Sequence, residues 1–207
     1  MNIINKPFKY QFFNAAAILI ALNVFVYIIQ QFVPQIMFKL TITPYFIFKG
    51  EVWRFFTYMF AHASLSHLLF NMLALYVFGL QLERYMGSLE FLLYYMLTGL
   101  LAGIFSFAVY SACGLWLSSL LGASGALFAV QLAYAVVFPR SVIYFWGLIP
   151  LRAPVMVLIF TALELFSSIT GLNPGVSHLT HLTGFLFGWL YFVIRFKVNP
   201  WKRLWGR

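Results

Sequence analysis

From Phe12 to Phe32 the chain carries no charged side chain, and five later stretches, 63–82, 90–110, 124–138, 153–170 and 178–196, carry at most one each. Only 8% of the 207 residues are charged and 63% are hydrophobic, whereas a soluble domain has roughly 25% charged residues. Such runs fit a bilayer, where only elements that satisfy their own backbone hydrogen bonds can span. The expectation is an all-α polytopic membrane protein with six spans in one domain, 1–207. Some runs fall short of the ~20 residues a span usually needs, above all 124–138.

Two further apolar segments are excluded as spans. In TITPYFIFKGEVWRFFTYMF (41–60), Lys49, Gly50, Glu51 and Arg54 interrupt the run, which predicts a large interfacial loop with amphipathic pieces. PRSVIYFWGLIPLR (139–152) has too few residues between its arginines to cross and is expected to be a connecting loop. With six spans both termini share a side, which holds Lys6, Lys9, Arg84, Arg140, Arg152, Arg195, Lys197, Lys202, Arg203 and Arg207. The other side holds Lys39, Lys49 and Arg54, so cytoplasmic termini follow from the positive-inside bias. The net charge of +9 is thereby spent on orientation and contact with anionic lipid, not on nucleic acid. The first run is expected as a retained helix, because QQFVPQ offers no small-x-small cleavage site. Cys113 is alone and excludes an intrachain disulfide.

In this topology spans two, four and six run inward, so their first residues lie in one outer layer. That layer collects His62, His67 and Asn71, then Ser124, then His178 and His181, which accounts for every histidine. Polar groups at membrane depth face the bundle or water. Span four is short enough that Ser124 would sit below the outer surface, at the bottom of a wet depression. Span six carries Gly184 and Gly188, and span four carries Gly125, Ala129 and Ala133 at four-residue spacing. Small-residue stripes let parallel helices approach closely, and packing these two in register brings Ser124 level with His181. Hydroxyl and imidazole at one height suit a serine nucleophile with a histidine base. His67 and Asn71, four apart, share a face and can both donate to an oxyanion. The chain contains no Asp, so a Ser124/His181 dyad is the economical reading.

These residues resemble the rhomboid family of intramembrane serine proteases. The resemblance rests on Trp53-Arg54, His67-x-x-x-Asn71, Gly122-Ala123-Ser124-Gly125 and His181-x-x-Gly184-x-x-x-Gly188, in that order across most of the chain. It implies a six-helix bundle around a short fourth helix, with a site open to the outer face of a bacterial or archaeal plasma membrane. It implies Ser124 as nucleophile, His181 as base, and His67, Asn71 and the Ser124 N–H as the oxyanion hole, shaped by Gly122 and Gly125. The implied substrates are single-span membrane proteins, cut without metal or other cofactor. Relatives often carry a tyrosine four residues after the nucleophile; here Phe128 keeps the ring and drops the hydroxyl.

Other readings stay open. His178 is a second candidate base, His62 a structural loop-end residue, and Trp53-Arg54 an anchor of the outer loop. Glu164 either snorkels or bonds to span two, or else holds water or latches span five as a gate. A metalloprotease would need HExxH or a clear histidine–carboxylate set, and neither is visible in the sequence. A small transporter lacks a pair of broken helices in repeated halves. A catalytically silent rhomboid-like protein that handles transmembrane clients is the runner-up, and the oligomeric state is left open.

Overall fold

The computed structural model describes residues 6–145, 147–171 and 177–206. Helix α1 spans Ala15–Phe32. Short helices α2 (Gln35–Leu40), α3 (Pro44–Phe48) and α4 (Arg54–Thr57) then build the long connection that follows α1. Helix α5 (Leu65–Ala74) continues through a wider π-type turn, Leu75–Gly79, into α6 (Leu80–Met86). There follow α7 (Ser88–Ala112), α8 (Ser124–Val137), α9 (Ala153–Thr170), α10 (His178–Arg195) and α11 (Pro200–Leu204). Four of the helical runs, Ala15–Phe32, Leu65–Met86, Ser88–Ala112 and Ala153–Thr170, are long and apolar enough to cross a membrane. The protein is an integral membrane protein of nearly all-α fold.

The connection at 139–152 is more ordered than a simple loop. Strands β1 (Val142–Phe145) and β2 (Ile149–Arg152) pair antiparallel, with Val142 opposite Arg152 and Ile143 opposite Leu151. The β-branched and aromatic residues of β1 favour that pairing.

Helix α8 is the centre of the bundle. Of its 14 residues, 11 are buried, as expected for a helix that is apolar all round. The small-residue stripes meet there. A Cβ added to Gly184 would fall 2.1 Å from the Gly125 carbonyl oxygen. One added to Gly188 would lie 3.1 Å from the Ala129 Cβ and 2.6 Å from the Tyr94 hydroxyl. That hydroxyl donates to the Ala129 carbonyl at 2.6 Å, pinning α7 to α8 as well.

Buried charge ties the ends of the helices together. Glu83 accepts from the first amides of α1, Ala15 N (2.6 Å) and Ala16 N (2.9 Å), and so caps donors that have no partner within the helix. Arg195 pairs with Glu90 through Nε at 2.8 Å and Nη2 at 2.9 Å, and Glu90 also accepts from Tyr191 and from Phe8 N. Arg195 is therefore buried inside the bundle. Arg54 is buried too, held by the Phe38 and Thr41 carbonyls and by Glu51. It braces this connection from within, while Trp53 stays half exposed and its indole N–H donates to the Lys39 carbonyl. Arg207 lies outside the described residues.

Candidate active site

The site is built from the approach to α8. The segment before it is held by paired backbone hydrogen bonds between Ile42 and Leu120, and by Gly122 N donating to the Tyr58 carbonyl at 2.8 Å. Gly122 adopts φ +113°, which disfavours any side chain, and a Cβ there would also fall 2.8 Å from the His67 ring. Ala123 caps α8 and Ser124 is its first residue. The Ser124 N–H therefore belongs to the unpaired first turn, at the positive end of the helix.

Packing of α10 on α8 places His181 beside this end. His181 Nε2 lies 2.8 Å from Ser124 Oγ. The Phe128 ring stacks on the imidazole, with centroids 4.3 Å apart and planes 8° from parallel. It thereby fixes the plane of the ring. Hydroxyl and imidazole are thus within reach for proton transfer.

His67 and Asn71 converge on the same point from α5. His67 packs against Gly122, two residues before Ser124, and the same imagined Cβ would lie 3.7 Å from Asn71 Nδ2. A residue the sequence reading treated as peripheral orients Asn71. His62 is 1% exposed, and its Nε2 sits 2.9 Å from Asn71 Nδ2. Its Nδ1 donates to the Phe60 carbonyl at 3.3 Å, leaving Nε2 to accept from the amide. Burial, and then the proximity of His67, lowers the His62 pKa from 6.5 to about 4, so the ring stays neutral and keeps its acceptor. Gln30 of α1 locks the His62 backbone from both sides, accepting from its N at 3.2 Å and donating to its O at 3.1 Å. Gln30 in an apolar run and His62 in the histidine layer were the visible signals.

Among the described residues, the ion-pair partners of Glu164 lie on α10. Its Oε2 lies 2.6 Å from His178 Nδ1 and its Oε1 lies 3.0 Å from His181 Nδ1. A histidine–carboxylate set absent from the linear motifs thus exists in space, with donor atoms of Glu164, His178 and His181 within 4.8 Å of one another. The 2.6 Å separation is that of a hydrogen-bonded pair, and His178 is engaged with the carboxylate rather than with Ser124.

A cavity of about 610 Å³ opens from Ser124 between α5 and α9, lined by Phe70, Ala74, Phe128, Gln131, Met156 and Phe160 among others. Its apolar walls and few polar groups suit an apolar ligand.

The model of the family described as Rhomboid domain matches residues 49–198. RHOMBOID-like protein 1 of Arabidopsis thaliana is 33% identical over 74% of this chain and 37% of its own length. Rhomboid protease GlpG of Haemophilus influenzae is 29% identical over 94% and 97%, respectively. Rhomboid protease AarA of Providencia stuartii is 30% identical over 67% and 54%. The chain therefore spans little more than a third of the first relative, almost all of the second and about half of the third.

Proposed function

The chain belongs to the rhomboid family, and from that premise we propose that it is an intramembrane serine endopeptidase acting through Ser124 and His181 on single-span membrane proteins. The observation that carries this reading is the 2.8 Å approach of His181 Nε2 to Ser124 Oγ at the end of an apolar cavity. Relatives named as rhomboid proteases support the reaction class. Six spans, cytoplasmic termini and a site open to the outer face belong to the same proposal.

The geometry suits acyl transfer. Ser124 Oγ attacks the scissile carbonyl carbon as its proton passes to His181 Nε2, and the carbonyl π pair becomes an oxyanion. The Ser124 N–H, His67 and the Asn71 amide are the donors for that oxygen. Asn71 gives one N–H to His62 and has the other for the oxyanion. The C–N bond then breaks as His181 returns the proton to the departing amine. Water resolves the acyl-enzyme by the same steps, again with His181 as base.

The test is cleavage of single-span reporters by the purified full chain in detergent. Wild type is expected to cut, and Ser124→Ala and His181→Ala are each expected to lose about 10³-fold or more in kcat. Cleavage by Ser124→Ala at the wild-type rate would overturn the mechanism. A wild type that binds reporters without cutting them would favour a silent client-handling protein.

A further inference from the structure

The proposed chemistry uses one face of His181 and leaves a carboxylate on the other unexplained. Glu164 is the sole charged residue of α9, and its side chain is 15% exposed. An ionisable group in a membrane helix is expected to have a specific partner. Every other carboxylate of the chain has one elsewhere: Glu51 on Arg54, Glu83 on α1 and Glu90 on Arg195. Glu164 divides its oxygens between two histidines of α10, Oε2 to His178 Nδ1 at 2.6 Å and Oε1 to His181 Nδ1 at 3.0 Å. Across the imidazole, Nε2 is 2.8 Å from Ser124 Oγ.

We propose that Glu164 is the positioning residue of a Ser124–His181–Glu164 triad, with His178 anchoring its carboxylate. This rests on the Ser124/His181 reading and deepens it. The reasoning is about which ring nitrogen faces the serine. The stacked Phe128 sets the imidazole plane, but a ring turned over in that plane would stack equally well and present carbon to Ser124. The Ser124 contact at Nε2 favours the observed orientation, and the Glu164 carboxylate 3.0 Å from Nδ1 favours it from the other edge of the ring. A proton on Nδ1 also leaves the Nε2 lone pair free to act as base.

The approach is close without being aligned. At 3.0 Å Oε1 lies off the Nδ1–H direction, and Nδ1 makes no aligned hydrogen bond. Neutral imidazole gains little from such a contact, whereas the imidazolium formed during attack is drawn fully to the carboxylate. The interaction is therefore weighted toward the transition state, and contacts of this kind tighten once substrate is bound. The proton balance is simple: one proton moves from Ser124 Oγ to His181 Nε2, and the Nδ1 proton stays on His181. The second oxygen, held by His178, keeps Glu164 from turning away.

The test compares wild type, Glu164→Gln, His178→Gln and Ser124→Ala as purified full chains in detergent, on one single-span reporter. Glu164→Gln is expected to lower kcat by about 10²-fold or more, with KM within twofold and the thermal midpoint unchanged. His178→Gln, which loosens the anchor but retains an N–H donor, is expected to lower kcat by less than Glu164→Gln does. A Glu164→Gln kcat within twofold of wild type overturns the proposal. So does a loss carried by KM, or one matched by a lowered thermal midpoint, since either marks a latch between α9 and α10. Labelling of Ser124 by a fluorophosphonate probe gives the same comparison if no reporter is cut. Slower labelling of Glu164→Gln supports the triad and equal labelling overturns it. Activity surviving Ser124→Ala, or a wild type that neither cuts nor labels, defeats the underlying reading instead.

Discussion

His62 shows how a single side chain can work one contact away from the proposed chemistry. Its acceptor nitrogen holds Asn71 in place, and its neutrality depends on burial. His62→Ala removes that hydrogen bond and leaves a buried amide donor partly unsatisfied, a loss of about 1–1.5 kcal/mol. The expected outcome is a roughly tenfold lower kcat with KM little changed, measured on a transmembrane reporter. The same residue makes stability depend on pH. Below pH 6.5 the unfolded chain takes up a proton that the folded chain refuses until pH nears 4. Stability therefore declines as pH falls through that window. Thermal midpoints in detergent should drop between pH 6.5 and 4 in wild type, and drop less in His62→Gln.

At the scale of elements, the crossing of α10 over α8 does the most positioning. Gly184 sits so close to Gly125 that a methyl group would meet backbone, which has no side-chain rotamer to yield. Gly184→Ala must push the helices apart, and overpacking of this kind destabilises by about 1–3 kcal/mol. A lower thermal midpoint and an at least tenfold lower kcat are expected together, because the same crossing sets the distance from His181 to Ser124. A variant of full activity and stability would show that the contact is slack. The stripes themselves were legible from spacing. So was the shared face of His67 and Asn71 on α5. The hairpin of β1 and β2 was not legible, since a short apolar run between two arginines reads equally well as an unstructured turn.

For the whole molecule, the arrangement of α5, α8 and α9 decides what can reach Ser124. The cavity between α5 and α9 is apolar and ends at the hydroxyl, which fits a membrane-embedded segment arriving from the side. Ala74 lines that cavity from α5. Ala74→Phe is expected to raise KM severalfold for a single-span reporter while leaving fluorophosphonate labelling of Ser124 within twofold of wild type. Equal KM values would mean that substrate takes another path. The bundle is also closed by charge pairs invisible in any motif, such as Glu90 with Arg195, residues 105 apart in sequence.

The sequence by itself determined the class of molecule, because uncharged runs of this length have no stable place in water and leave helices as their way through lipid. It also determined the candidates Ser124, His181, His67 and Asn71, since helical periodicity and small-residue spacing carry over directly into shared faces and shared height. Only the tertiary structure decided which carboxylate meets the imidazole. Glu164 and His181 lie on different helices, and their separation depends on how α9 leans on α10, a quantity that no local pattern encodes. The same holds for His62 and Asn71, brought together where the chain turns into α5, and for Arg195, whose charge is neutralised inside the bundle. Local periodicity says which way a side chain faces along its own helix; what it faces is settled by packing.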